Sequence, residues 1–153
     1  MRHHESYDEL VNGPKASMSC GTCHDPHIGV EHGNAVRGGI VKTCESCHSD
    51  KAASNSHVVA VDCVTCHMPR ASKSAQAAHI AEGDIRTHIF EINSNPFPKD
   101  SMFYEEQGKT YARGFVTLDF ACYSCHKDEA GNGGTRSTKT LQELSAKATN
   151  IHN

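Results

Sequence analysis

The sequence contains no tryptophan, and its five phenylalanines and four tyrosines are few large side chains for the core of a 153-residue chain. Hydrophobic residues make up 37% of it, below the roughly 45–50% that is usual for a globular domain. No apolar run approaches the ~20 residues that a transmembrane helix needs, so we predict no segment that spans a bilayer. Either part of the chain is disordered, or something other than side chains fills its interior.

A large excess of one charge is also missing. The 15 basic and 18 acidic residues leave a net charge of −3. Proteins that bind nucleic acid or anionic membrane surfaces attract phosphate groups with an excess of lysine and arginine. The charge balance therefore argues against both kinds of partner, and the length fits a single domain.

Cysteine and histidine are abundant instead, with eight and twelve residues. All the cysteines lie in four copies of the pattern C-x-x-C-H: CGTCH at 20–24, CESCH at 44–48, CVTCH at 63–67 and CYSCH at 122–126. This spacing is the attachment signature of c-type haem, because two thioether bonds hold the porphyrin while the adjacent imidazole binds its iron. The sequence therefore predicts four haem c groups.

The predicted residues of covalent haem attachment are Cys20, Cys23, Cys44, Cys47, Cys63, Cys66, Cys122 and Cys125. The predicted proximal ligands of the haem irons are His24, His48, His67 and His126.

Three other uses of paired cysteines are less consistent with this pattern. Zinc ribbons use C-x-x-C pairs, but they do not need a histidine after every pair. A disulfide framework predicts no adjacent histidine at all. Thioredoxin-like redox motifs occur singly in a βαβ context, which this sequence lacks.

Four haems in a chain of this length would themselves form the core. We therefore expect a mostly irregular, small α fold of the multihaem cytochrome c type, with a short helix at each haem site, a C-terminal helix and almost no sheet. The chain is predicted to be one tetrahaem domain over 1–153. Within it, 15–70 hold a three-haem cluster, 71–121 form a haem-free connector, and 122–153 hold the fourth haem and the C-terminal helix.

Local patterns predict three regular elements. Thr140 and Glu143 form a capping box before apolar residues at helical spacing, which indicates a terminal helix with His152 on its apolar face. Residues 115–120 are the best strand candidate. Residues 71–81 are able to form a helix.

Four of the histidines outside the motifs are candidates for the distal side of an iron: His27, His57, His88 and His152. His27 lies too close to His24 to reach the far side of the same haem, but it suits a neighbouring haem. His57 lies on a short loop before the third motif, and His88 has apolar neighbours that suit a buried ligand. A solvated or hydrogen-bonded imidazole is the alternative for each of them.

The other histidines are weaker candidates. Solvent exposure is the better interpretation of His32 and His79. His3 and His4 lie on a polar segment that we expect to contact its own domain poorly, as a frayed terminus or a ligand donor to an adjacent molecule. Methionine ligands, Met18 or Met102, are a further but less favoured alternative.

Several segments resemble one family of multihaem cytochromes. They are CGTCHDPH at 20–27, CVTCHMPRASKSA at 63–75, GDIRTHIFEI at 83–92, LDFACYSCHKD at 118–128 and the ending A-x-x-I-H at 148–152. From residue 15 onward the chain is similar to tetrahaem cytochromes of the multihaem nitrite-reductase-like group. Within that group it resembles the OmcE-like type, extracellular cytochromes that polymerise into conductive filaments, or nanowires.

The resemblance implies distal roles for His27, His57, His88 and His152, bis-histidine ligation throughout and a continuous haem stack. One departure is that related chains often carry a histidine shortly before the first motif, where this sequence reads GPKAS at 13–17. A haem iron that is bound by that histidine in related chains would need another ligand here, such as His3, His4 or a residue of a neighbouring molecule.

These observations favour electron transfer through four bis-histidine haems, with redox proteins or extracellular acceptors as partners and no catalytic residue. Self-association into an extracellular filament is the more specific hypothesis, and a soluble periplasmic tetrahaem carrier is the alternative. An enzyme acting on nitrogen oxides or hydroxylamine is less favoured, because it needs an open iron and an altered site that none of the four motifs shows. Covalent haem attachment takes place outside the cytoplasm, so we expect an exported protein, although the first residues show no export signal.

Overall fold

A computed structural model describes residues 6–28, 39–57, 60–71, 83 and 85–152 of the chain. The described part is mostly irregular, with short helices and one two-stranded sheet, which confirms the expected fold class. The helices are α1 (Ser6–Asn12), α2 (Ser49–Ala53), α3 (Cys63–His67), α4 (Leu118–Cys122) and α5 (Leu141–Ala148), and the strands are β1 (Phe103–Glu106) and β2 (Lys109–Ala112). The helix predicted over 71–81 lies outside the described residues except for Ala71.

Each C-x-x-C-H motif forms a single helical turn. The first two motifs begin with 3₁₀ turns, Cys20–Thr22 and Cys44–Ser46, the third is α3, and the fourth follows directly from α4. In motifs one, two and four the backbone N–H of the histidine donates to the carbonyl of the first cysteine at 2.9 Å. One helical turn brings residues i and i+4 to the same side, so each histidine stays beside its own cysteines.

The capping box predicted at Thr140 is present. The backbone N–H of Glu143 donates to Thr140 Oγ1 at 3.1 Å, and the Glu143 carboxylate accepts from the Thr140 N–H at 2.8 Å. The helix ends at Ala148, so His152 lies in the turn after it and not on the helix as expected. Among the described residues, no helix has the length and hydropathy needed to cross a membrane.

The strand predicted over 115–120 is wrong. Val116 forms one isolated parallel bridge with Ile92, and Leu118 already begins α4. Thr117 has the extended backbone of an N-cap residue, and the helical turn that starts after it leads into the fourth motif. Leu118, Phe120 and Ala121 are all buried within this short helix, and Val116 is buried just before it.

The sheet lies in a segment for which no strand was predicted. Strands β1 and β2 pair antiparallel, with Phe103 opposite Ala112 and Glu106 opposite Lys109. Gln107 and Gly108 connect them with φ angles of 50° and 71°. Positive φ at both central residues is typical of a type I′ turn, which matches the twist of a tight hairpin.

A small side-chain core lies in the connector between the third and fourth motifs. It consists of the buried residues Ala71, Ile89, Met102, Val116, Phe120 and Ala121. Met102 is completely buried there, which disfavours it as a ligand donor. A second cluster, of Leu118, Tyr123 and Leu144, docks α5 against α4. Side chains thus form a core of limited size on one side of the molecule.

The N-terminal segment contacts the domain better than its polar sequence suggested. Residues 6–12 form α1, which buries Glu9 and Leu10. The Glu9 carboxylate accepts a 2.7 Å hydrogen bond from the backbone N–H of His88. The expectation of a poorly packed arm is therefore wrong for α1, while His3 and His4 lie outside the described residues.

Gly134 offers a test of how closely the loop after the fourth motif packs against it. Its N–H donates to the carbonyls of Tyr123 and His126, and a Cβ added to it would lie 2.6 Å from the Cα of Cys125. We expect Gly134→Ala to lower the free energy of unfolding by about 1–3 kcal/mol, because backbone atoms have to move apart. Denaturant unfolding of the haem-loaded protein measures the change.

Gly21→Ala is the matched control, because Gly21 lies inside the first motif and an added Cβ would meet only Ser19 Oγ at 3.8 Å. Equal stability of the two variants would contradict the close packing of this loop.

Candidate haem-attachment sites

All eight cysteines are free thiols, so the structure contains no disulfide framework. Burial, followed by the side chain of Glu45, raises the pKa of Cys63 to about 11. Burial, followed by the neighbouring Cys66, raises the pKa of Cys122 to about 12. Both cysteines are therefore protonated thiols at neutral pH.

Successive motifs lie next to each other in space. The thiol of Cys23 contributes, after burial and Glu45, to the raised pKa of Cys44, and Cys44 in turn influences Cys63. Burial and then the nearby Cys125 raise the pKa of Cys66. The four motifs thus follow one another through the molecule in the order of the sequence.

Among the described residues, three of the four motif histidines face a second imidazole. The ring centroids of His24 and His88 are 6.3 Å apart, those of His126 and His57 are 6.5 Å apart, and those of His67 and His152 are 5.9 Å apart. Two imidazoles on opposite sides of one metal ion, with metal–nitrogen bonds of about 2 Å each, place their centroids roughly 6 Å apart. The donor sets therefore fit a haem iron with two axial imidazoles.

Backbone carbonyls orient three of these imidazoles. The Nδ1 atom of His67 lies 2.8 Å from the Phe90 carbonyl, that of His126 lies 3.0 Å from the Ser137 carbonyl, and that of His152 lies 3.1 Å from the Lys51 carbonyl. A carbonyl oxygen only accepts, so Nδ1 carries the proton and Nε2 keeps its lone pair. This is the arrangement that fixes a metal-binding histidine in the correct tautomer.

His88 is held in a different way. Burial lowers its pKa, an effect that the nearby Glu9 opposes and His24 reinforces. Its Nδ1 is buried and has no hydrogen-bond partner among the described residues, although its backbone N–H is bound by Glu9. A buried neutral imidazole with an unpartnered nitrogen is suited to metal binding, which requires the deprotonated form.

Residues 88–90 serve two motifs at once. The His88 ring faces His24 of the first motif, while the Phe90 carbonyl accepts from His67 of the third. Phe90 has a φ of 65°, which a bulky side chain rarely adopts. Ile89, the middle residue of this segment, is buried in the core with Val116, and this packing maintains the backbone conformation.

Arg86 secures the end of α3. Its guanidinium donates to the carbonyls of Val64 and Met68 at 2.9 and 2.8 Å. The Val64 carbonyl also accepts from the Met68 N–H at 3.0 Å, and the Met68 carbonyl lies just beyond α3, where the helix itself supplies no donor. Arg86 therefore holds the third motif in place, a role that its position within GDIRTHIF did not reveal.

The second motif differs from the others. Cys44, Cys47 and His48 are all exposed, and among the described rings no second imidazole faces His48. Lys15 instead places its Nζ atom 3.1 Å from His48 Nε2. This contact between Lys15 and a motif histidine was not predicted from the sequence.

The remaining candidate histidines have no assigned place against a motif. His27 is exposed, its backbone N–H donates to Asp25 Oδ1 at 2.8 Å, and no ring contact joins it to a motif histidine among the described residues. His3, His4, His32 and His79 lie outside the described part of the chain.

Two family profiles match the chain. Residues 39–153 match a family described as outer membrane cytochrome MtrC/MtrF-like, domains II/IV. Residues 12–53 match the doubled CXXCH motif. No curated protein matches the chain.

Among solved structures, the chain is similar to Wolinella succinogenes octaheme sulfite reductase MccA, form II, with a TM-score of 0.53 and 22% identity. The alignment covers 91% of this chain and 26% of that one, so the chain spans about a quarter of the length of the enzyme. At this identity the similarity supports the fold and not a shared activity.

The contacts of Arg86 lead to a prediction about the third motif. We expect Arg86→Met to lower the free energy of unfolding by about 1.5–3 kcal/mol, because hydrogen bonds from a charged donor to two carbonyls are lost. Arg113→Met is the control, since Arg113 is exposed on the hairpin, where it donates to the Ser101 carbonyl and lies over the Tyr104 ring. Unfolding curves of the two variants that coincide would contradict the role of Arg86.

Proposed function

The chain belongs to the outer membrane cytochrome MtrC/MtrF-like family, and we propose that it transfers electrons through four covalently attached haem c groups. It is a multihaem c-type cytochrome. Each C-x-x-C-H motif would hold one haem through its two cysteines, with its histidine as the proximal iron ligand. The haem supplies a reversible one-electron change of iron.

The three imidazole pairs are the observation that carries this proposal. His88 would be the distal ligand at the first motif, His152 at the third and His57 at the fourth, as the ring distances favour. A haem iron held by two such imidazoles would have no open position for a substrate, so these three sites would transfer electrons and perform no other chemistry. Neutral imidazole on both sides also favours the ferric state relative to a histidine–methionine pair, so we expect low potentials.

The chain itself determines the properties of these sites. The carbonyls of Phe90, Ser137 and Lys51 bind the Nδ1 protons and thereby fix ring orientation and strengthen the donor nitrogens. The side-chain core holds the 88–90 segment in place, and the C-terminal turn is tied to 54–56 by hydrogen bonds that include Ser56 N–H to the Ile151 carbonyl at 2.8 Å. Such anchoring keeps the site rigid, which suits electron transfer.

An enzymatic role is the competing proposal, since the matched MccA structure is described as a sulfite reductase. The two proposals differ in whether any iron is open. Carbon monoxide binds reduced haem only at an open position, so it distinguishes them.

We expect the reduced wild-type protein to bind no carbon monoxide and to carry haems that are all low-spin. His152→Ala should gain about one carbon monoxide site per chain, because one distal ligand is lost. Lys42→Ala, at an exposed position that contributes no imidazole, is the control and should behave as the wild type. Carbon monoxide binding by the wild type would contradict the electron-transfer proposal and favour the enzyme.

We propose that the protein is located outside the cell and that its partners are redox proteins or extracellular acceptors. The description of the family as outer membrane cytochromes supports a position at the cell surface. The exposure of Cys44, Cys47 and His48 supports exchange of electrons with a partner at the second motif. The periplasm is the alternative location.

We also propose that the chain assembles head to tail into a filament. A contact between two different faces that does not close into a ring generates a fibre, and the exposed second motif would be one of those faces. Electron micrographs of native material should show filaments on the outside of cells. Only monomers, recovered from the periplasm, would support the soluble carrier instead.

A further inference from the structure

Glu9 is a buried carboxylate to which the proposed electron transfer gives no role. It lies on α1 with 8% of its surface exposed, and its Oε2 accepts the 2.7 Å hydrogen bond from the backbone N–H of His88. Carboxylates are seldom buried this far, because their charge loses its contact with water. An uncharged glutamine would accept the same backbone hydrogen bond, so anchoring of the backbone alone does not explain the charge.

The end of α1 fixes this carboxylate against residues 88–90. Leu10, the next residue of the helix, is also buried, and its carbonyl accepts from the Gly13 N–H at 3.3 Å. A Cβ added at Gly13 would lie 2.9 Å from the Ile89 carbonyl oxygen and 3.0 Å from that of Glu9. The helix end and the segment are therefore in close contact, and backbone packing determines where the Glu9 side chain lies.

The imidazole pair of the first motif differs from the others in its hydrogen bonds. In the pairs of the third and fourth motifs, at least one ring contacts a backbone carbonyl through Nδ1. Among the described residues no carbonyl accepts from Nδ1 of His24 or His88, and Nδ1 of His88 is buried without a partner. An acceptor at Nδ1 makes an imidazole a stronger donor to a metal. In the first pair negative charge comes from Glu9 instead, which opposes the lowering of the pKa of His88 that burial causes.

We propose that the Glu9 carboxylate lowers the reduction potential of the haem attached at the first motif. A nearby negative charge in a site shielded from water stabilises the more positive, ferric state of an iron relative to the ferrous state. Glu9 does not bind the iron. It is a positioning residue that acts through its charge and through the backbone of His88. The inference rests on the proposed haem at the first motif, with His24 and His88 as its axial ligands.

Substitutions at Glu9 separate its charge from its hydrogen bond. Glu9→Gln keeps the size of the side chain and an oxygen that accepts from the His88 N–H, but it removes the charge. We expect it to favour reduction of one haem about tenfold, an upward shift of about 59 mV for a one-electron couple, and to leave the other three haems near their wild-type potentials. Glu9→Ala should shift the same haem upward, whereas Glu9→Asp keeps the charge and should stay closer to the wild type. Redox titration of the haem-loaded protein, followed by its visible absorption, measures the four potentials.

Two neighbours of Glu9 on α1 are the controls. Asp8→Asn removes the same charge from an exposed position and should leave all four potentials unchanged, because solvent screens that charge. Leu10→Ala removes buried side-chain volume without changing the charge, so it should lower the free energy of unfolding and leave the potentials unchanged. His88→Ala removes the distal ligand of the first haem and thereby marks the component of the titration that belongs to it. Glu9→Gln should move that same component.

Potentials and intact mass together separate this inference from the function on which it rests. A Glu9→Gln protein with four haems and wild-type potentials would overturn the role of Glu9 and leave the tetrahaem proposal standing. An equal upward shift in Leu10→Ala would also overturn it, because the effect would then come from packing and not from charge. A wild-type mass with fewer than four haems would refute the tetrahaem proposal itself.

Discussion

Three pairs of imidazole rings, with centroids 5.9–6.5 Å apart, bring together segments that lie far from each other in sequence. In the described part of the chain the helices are short and the hairpin is local. Long-range order there comes from two buried side-chain clusters and from the contacts that hold histidine side chains face to face. Carbonyl acceptors, Arg86 and the small core around Met102 are best understood as means of keeping those rings in position. Metal binding and folding are coupled in such an arrangement.

The features that could be predicted from the sequence are those whose chemistry requires a fixed pattern of neighbouring residues. The C-x-x-C-H units and the capping box at Thr140 are of this kind, because each is complete within one helical turn, and both appear in the structure as expected. The fold class could also be predicted, since little apolar side-chain volume combined with many attachment motifs leaves few alternatives. The matching family confirmed a multihaem cytochrome.

Features that depend on tertiary contacts could not be predicted. Residues 115–120 have the composition of a strand, but the helical turn of the fourth motif begins within them. The hairpin turn at Gln107 and Gly108 lacks the asparagine or aspartate that usually indicates a type I′ turn. A backbone carbonyl that accepts from an imidazole, such as that of Phe90, cannot be predicted from residue types, because every residue has one. The contact between Lys15 and His48 joins residues that are far apart in the sequence, so it is seen only in the folded chain.

The tripeptide 88–90 has a consequence for how this protein can change during evolution. Its first residue faces the imidazole of one motif, and its last residue binds the imidazole of another through a carbonyl that an unusual backbone angle directs there. If the proposed haems are present, mutations in it would alter two redox centres together, so selection could not adjust the potential of one without disturbing that of the other. The potential of one haem alone could be changed only through contacts that involve a single motif, such as the contact of the Ser137 carbonyl with His126 at the fourth motif. Variation among descendants of this chain should therefore accumulate around the fourth motif sooner than in the segment that joins the first and third.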